Sequence, residues 1–522
     1  MRHRVVYTTD PGFAAAGPPQ PGVAPGPAGP GSGPASGHSR REEESLRLAD
    51  VRKLARRAVR KVVRTARLED QVGFAALLAE HLAVDTSELE VVGETWPQYD
   101  LVNVQAGLDA WLAEPGRAHR LVGVVNYRHR EFGLSQLFTL EMHGPMPGNV
   151  SRTNMPSGPD GQVRACVRCG LYLVTEGERR AALLVRAAEP DAGISRVSVQ
   201  IAADDPAYAA DDPAYAAAVA ARLRELAVEH NVYRGHVVSF GRSMFGEREA
   251  VLQFHTRPSL PEEHLILPEE TIAAVHRQVV GVARHRDRLL AARQHLKRGL
   301  LLYGPPGVGK THTVRYLVGR LTATTVLELS GESLYLIGEA CSVARTLQPA
   351  MIVVEDVDLI AEERDLHPGN HPLLFRLLNE MDGLAEDADV VFLLTTNRAD
   401  MLEPALAARP GRVDQAVELR LPDEDARRRL FRLYRGDLDV DESRLDSVVA
   451  RTAGVTASFL KELLRRAAVV AAESTGPTRG PEGSGGSDGR LRVSADQLDA
   501  ALDELLDTRN AMTRVLLGGR RE

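Results

Sequence analysis

The stretch Gly304-Pro305-Pro306-Gly307-Val308-Gly309-Lys310-Thr311 gathers the residue types that grip a polyphosphate. Glycines at 304, 307 and 309 let the backbone take left-handed dihedrals and come close to a ligand, turning several N–H groups toward it. Lys310 supplies a mobile ammonium for the outer phosphates, and Thr311 a hydroxyl for Mg2+. A helix starting at this point adds the partial positive charge of its N-terminus. These features make a nucleoside-triphosphate cradle.

Further groups with matching chemistry follow. Met351-Ile352-Val353-Val354 is a continuous apolar run that ends in Glu355-Asp356. Such a run reads as a parallel strand buried on both faces, and in open α/β sheets chemistry gathers at the carboxyl ends of strands. One carboxylate can organise Mg2+ while the other orients and deprotonates the attacking water. The run Val390 to Thr396 ends in Asn397, whose amide can hydrogen-bond that water and the γ-phosphate. Arg412, in Arg409-Pro410-Gly411-Arg412-Val413-Asp414, is the better placed guanidinium for charge developing on the transferred phosphoryl group.

Elements must hold these groups in place. An apolar strand, Gly299 to Tyr303, precedes the cradle and a helical stretch, Thr311 to Leu321, follows it. Thr324 to Ser330 reads as the next strand. The chain of 522 residues is long enough for two or three domains. Residues 1–41 form a Gly/Pro-rich tail expected to be disordered, since such a composition cannot offset ordering entropy. From Arg41 to Glu80 the spacing predicts a basic amphipathic helix, with nine cations between Arg47 and Arg67. Residues 42–255 alternate strand-like and helical runs, an α+β accessory domain that selects substrate. Residues 256–298 read as a linker and a lead-in helix over Glu269 to His295. The motif Ala-Asp-Asp-Pro-Ala-Tyr-Ala occurs in tandem at 203–209 and 210–216, a local duplication without evident function.

Composition narrows the function classes. The net charge of −7 argues against affinity of the whole protein for nucleic acid, which is not favoured as a partner. No apolar run approaches the ~20 residues needed to span a bilayer and no signal-peptide core is present, so no membrane and a cytoplasmic location are expected. Three cysteines are too few for a disulfide framework. Cys166-x-x-Cys169 lacks a second pair or a histidine at ligand spacing, which argues against zinc. The chain also lacks His-Glu-x-x-His.

With these motifs in order, residues from about 265 to 510 resemble the AAA+ superfamily, specifically the AAA clade. The matching stretches are Gly304 to Thr311 (Walker A), Met351 to Asp358 (Walker B), Leu377 to Leu384 (inter-subunit signalling), Thr395 to Asp400 (sensor 1) and Pro404 to Asp414 (arginine-finger region). The resemblance implies an α/β P-loop domain with parallel sheet order 5-1-4-3-2 at 299–422. It further implies a helical lid at 423–510 with a flexible insertion at 475–490, and leaves 511–522 as a tail. It implies ATP and Mg2+ as cofactors, His312, Ala457 and Ser458 among the nucleotide-binding residues, and Glu355 with Thr311 at the metal. The implied assembly is a homo-oligomeric ring, usually of six, in which Arg412 reaches a neighbour's ATP and Tyr335-Leu336-Ile337-Gly338 form the pore loop that grips a protein substrate.

The sequence departs from the family in three places. Glu355 precedes Asp356 where the family has Asp then Glu, an order shared with the mitochondrial AAA translocases of folded iron-sulfur protein. Gln415 stands where many members carry a second finger arginine. Tyr335 sits one residue before the usual pore aromatic. The expected function is an ATP-hydrolysing protein remodeller. The alternatives are an ATP-gated assembly switch with weak hydrolysis and a nucleic-acid-associated ATPase working through the basic helix.

Overall fold

The computed structural model describes residues 6–7, 73–83, 89–127, 132–139, 144–204, 215–242, 250–358, 372–398, 413–475 and 490–507. Residues 41–72 of the segment read as a basic helix over 41–80, most of the tandem repeat (205–214) and residues 476–489 of the expected insertion at 475–490 lie outside them; within the described residues the helix starts only at Phe74, after an extended Gly73, and Thr475 ends a helix. The chain divides into two compact units, Met1–Asn154 with Ala165–Glu229, and Met155–Arg164 with His230–Glu522.

The first unit is built on an antiparallel core of strands with helices on both faces. Its strands are β1 (Val6–Tyr7), β2 (Val92–Pro97), β3 (Arg117–Val125), β4 (Met146–Gly148), β5 (Ser151–Pro156), β6 (Val163–Glu176), β7 (Arg179–Arg186) and β8 (Arg196–Asp204). Their order is β1-β2-β8-β7-β6-β3-β4, with β5 beside β6. Helix α1 (Phe74–Leu82) joins a cluster with Leu171 and Leu173 of β6. Tyr172, which alternation turns to the other face, sits beside Gln105 of α2 (Leu101–Leu112). Helix α3 (Tyr215–Glu229) packs on α2. One expectation is corrected here: Val6–Tyr7, read as part of the disordered tail, pairs in parallel with Val92–Gly93. A β-branched and an aromatic residue suit a strand edge, unlike the Gly/Pro-rich run that follows. Cys166 and Cys169 are buried and form no disulfide, and burial pushes the Cys169 thiol up to about 12.

The second unit carries the cradle. Strands β9 (Val237–Arg242), β10 (Ala250–His255), β11 (Arg298–Tyr303), β12 (Thr325–Leu329), β13 (Ala350–Val354), β14 (Val390–Thr396) and β15 (Gln415–Glu418) form a seven-stranded sheet in the order β10-β9-β12-β13-β14-β11-β15. Read from β15 to β12, this is the expected 5-1-4-3-2. The five strands run parallel, and β13 and β14 are buried along their whole length, as apolar runs covered on both faces should be. Beyond β12 the sheet continues into an antiparallel hairpin, β9–β10, whose first strand lies parallel to β12. The sequence reading grouped this hairpin with the segment 42–255; its backbone ladder belongs to the second unit's sheet.

The lead-in segment also differs from the single helix expected. Helix α4 (Glu269–His276) gives way to a π-turn at Arg277–Gly281, and His285 breaks the run at φ −106° and ψ 17°. The cradle opens α5 (Lys310–Arg320), followed by α6 (Ile337–Thr346) and α7 (Pro372–Asp382). The lid comprises α8 (Glu424–Arg435), α9 (Leu445–Arg451), α10 (Ala457–Thr475) and α11 (Ala495–Leu506) around their own apolar cluster. No helix among the described residues is long and apolar enough to cross a membrane.

A buried ion pair fixes the end of β11 remote from the cradle. Arg298 Nη1 lies 3.0 Å from Asp389 Oδ1, with side chains only 5% and 4% exposed. Removing one partner would strand the other charge, so Asp389→Ala should lose ~3–5 kcal/mol of unfolding free energy. Denaturant unfolding monitored by circular dichroism measures it; a loss under ~1 kcal/mol would mean that the guanidinium is not relying on this carboxylate.

Candidate nucleotide site

The cradle glycines sit where side chains are excluded. Gly304 has φ 148°, and a Cβ there would lie 2.2 Å from the Leu419 carbonyl oxygen. Gly307 has φ 81°, with Ser458 Oγ and Thr456 Oγ1 each 3.0 Å from where its Cβ would be. Gly309, at φ 107°, is the residue from which α5 starts. The loop thus reaches the start of α5 through dihedrals that glycine adopts without strain.

Lys310 is 7% exposed. Its Nζ donates to the carbonyls of Gly304 at 2.7 Å and Pro305 at 2.9 Å. Burial pushes its ammonium below the usual lysine range, and the nearby Asp356 and Asp358 carboxylates partly restore it. Thr311 Oγ1 lies 3.5 Å from Glu355 Oε2, donating to it. Burial, then the charges of Asp356 and Glu328, push the Glu355 carboxyl above its ordinary value. A hydroxyl and a carboxylate converging in this way form the hard-oxygen donor set that suits Mg2+. No cluster of three or more His, Cys, Asp or Glu that could hold a metal occurs among the described residues.

Asp356 occupies the left-handed region at φ 53°, which aspartate and asparagine tolerate better than other residues. Its backbone N–H donates to Thr395 Oγ1 at 3.0 Å, and its Oδ1 accepts from Asn397 Nδ2 at 3.3 Å. The lid reaches the loop through Ser458, whose N–H and Oγ donate to the Gly307 carbonyl at 3.2 and 3.4 Å. Ala457 is buried at the start of the same helix. His312 Nε2 lies 3.2 Å from the His264 carbonyl, tying α5 to the segment before α4, and burial holds its ring below the usual histidine range.

The structure therefore brings together Lys310, Thr311, Glu355, Asp356, Asn397 and Ser458. Arg412 lies outside the described residues. The chain resumes at Val413, where the Asp414 carboxylate accepts the Gly299 N–H at 2.7 Å and so clamps this segment to β11. Of the expected pore-loop residues, Tyr335 is 36% exposed, whereas Leu336 and Ile337 are buried at 7% and 2%. Gly338 begins the first turn of α6 against Arg376, whose Nη2 lies 2.6 Å from where a Cβ would stand. Of these four, only Tyr335 has an exposed side chain. Sequence reading assigned no role to Asp358 or Thr396, yet both enter the hydrogen bonding at this edge. A fourth-position acid in Glu355-Asp356-Val357-Asp358 was the available signal.

Comparison with known proteins agrees with this geometry. Residues 300–421 match the ATPase family associated with various cellular activities (AAA). The chain is 35% identical over 234 residues to the ATP-dependent zinc metalloprotease FtsH 2 of Sphaerobacter thermophilus, covering 41% of this chain and 35% of that protein. It is 30% identical over 212 residues to the 26S protease regulatory subunit 6A of Caenorhabditis elegans, covering 38% and 49% respectively. The chain spans half or less of the length of the first curated relatives it matches. A solved structure described as the FIGL-1 AAA domain in complex with ADP aligns at 20% identity and a TM-score of 0.40, over 50% of this chain and 93% of that one.

Proposed function

The chain belongs to the AAA+ ATPase superfamily through its domain at residues 300–421, and from that premise we propose that it hydrolyses ATP at a site shared between neighbouring copies and uses the turnover to remodel a protein substrate. The observation that carries this reading is the convergence of Lys310, Thr311, Glu355, Asp356 and Asn397 at the carboxyl ends of adjacent parallel strands.

In this mechanism the loop amides and Lys310 hold the outer phosphates. Thr311 and Glu355 would hold Mg2+, which when bound neutralises phosphate charge. The Asp356 carboxylate accepts the proton of the attacking water, and Asn397 orients that water. Arg412 of a neighbouring copy neutralises charge on the transferred group. Ser458, bonded to the loop at Gly307, lets the lid feel occupancy of the site. Tyr335 is the side chain available to grip substrate.

A second reading, an ATP-gated assembly switch with weak hydrolysis, draws support from the burial of Leu336 and Ile337 and from the short Asp356 side chain as base. Turnover measured against protein concentration, alongside sedimentation with ATP and ADP, separates the two. A shared site requires turnover per subunit to fall on dilution as assemblies dissociate. Constant turnover from monomers would sink the shared-site mechanism, and ATP-driven assembly with negligible turnover would select the switch.

A further inference from the structure

We propose that Asp358 is the positioning residue for Asn397, fixing the amide that orients the attacking water; this deepens, and rests on, the ATPase reading above. Strands β13 and β14 pair in register only as far as Val354 and Leu394. Beyond that point no backbone ladder between these two strands holds the acidic loop against the Asn397 loop. Side chains take over. Thr395 Oγ1 accepts the Asp356 N–H at 3.0 Å, and Asp358 Oδ1 accepts both the Thr396 hydroxyl at 2.9 Å and the Asn397 N–H at 3.2 Å. Thr396 Oγ1 in turn accepts the Arg398 N–H at 3.0 Å, so the backbone on either side of Asn397 is tied to one carboxylate.

The result is a residue held from two directions. Asp358 fixes the Asn397 backbone, and Asp356 receives its side-chain amide at 3.3 Å. Asp358 is 6% exposed, and a buried carboxylate is costly to desolvate unless its hydrogen bonds specify an arrangement. Among the described residues its donors are a hydroxyl and a backbone N–H, with no guanidinium or ammonium at contact distance, which suits placement more than charge neutralisation. It also contributes to the field around Lys310, placing it within the same electrostatic site. Without the acceptor, the buried Thr396 hydroxyl and the part-buried Asn397 N–H lose their partner and the Asn397 loop relaxes.

The test is a double-mutant cycle on the full chain. Wild type, Asp358→Ala, Asn397→Ala and the double variant are compared for kcat and for affinity toward a fluorescent ATP analogue. Misplacement of a water-orienting group by about 1 Å should lower kcat on the order of 10²-fold in each single variant. The double should then fall no more than ~3-fold below Asn397→Ala, with nucleotide affinity within ~3-fold throughout, because the two residues act as one unit. Asp358→Asn keeps an Oδ1 acceptor and should retain kcat within ~5-fold of wild type. Multiplying losses in the double variant, or Asp358→Asn as damaging as Asp358→Ala, would overturn the proposal. If Asp358→Ala loses nucleotide binding, Thr396→Val removes one donor at nearly constant volume and the same cycle with Asn397→Ala decides. Absence of turnover in the wild type would instead remove the ATPase reading itself, a distinguishable failure.

Discussion

Replacement of Lys310 by alanine is expected to lower ATP turnover on the order of 10²- to 10³-fold, the scale seen when a preorganised donor to developing charge is removed. The ammonium is nearly out of water and is fastened to the Gly304 and Pro305 carbonyls, so its position in the loop is set before any phosphate arrives. Its loss removes the positive charge that faces Asp356 and Asp358. A triphosphate would then meet two uncompensated carboxylates, and affinity should fall together with kcat. Steady-state hydrolysis and titration with a fluorescent analogue read both quantities. Turnover within ~3-fold of wild type would exclude this loop as the phosphate cradle.

Asp356→Asn should separate chemistry from binding. Removing a general base costs roughly 10²- to 10⁴-fold in rate. The substitution is otherwise conservative at this site. Asparagine tolerates the left-handed backbone at φ 53°, and its carbonyl can still accept from Asn397. The thermal midpoint should therefore stay near that of wild type, while ATP affinity holds or improves as one negative charge leaves the site. Asp356→Ala, by contrast, would add a left-handed strain of ~1 kcal/mol and confuse the two effects. Unchanged turnover in Asp356→Asn would move the base to another group, Glu355 being the nearest alternative.

The parts of this structure legible from sequence are those governed by local pattern. Val390–Thr396 is a strand and Leu101–Leu112 a helix within the limits that periodicity and apolar runs define. The cradle was legible because its glycines answer a steric requirement that few other sequences meet. What escaped depends on partners distant in the chain. Ala250–His255 is readable as a strand, but nothing in it declares that its hairpin partner β9 will pair with β12. Leu336 and Ile337 read as loop residues through the family resemblance, and only the packing at the start of α6 reveals them as core. The lead-in run is interrupted at Arg277–Gly281 and again at His285, in a stretch where Val279, Val280, Gly281 and Val282 are weak helix formers, so its apolar spacing alone overstates the helix. Asp358 could be noticed as an acid; its bonds to Thr396 and Asn397 could not.

The hairpin β9–β10 has one more implication, for modularity. The continuous part of the second unit begins at His230, well before the lead-in segment. A gene fragment opened at residue 256 would strip two strands from the sheet and leave the flank of β12 with unsatisfied backbone donors and acceptors, an invitation to aggregate. A fragment that keeps the whole seven-stranded sheet must therefore open upstream of Val237.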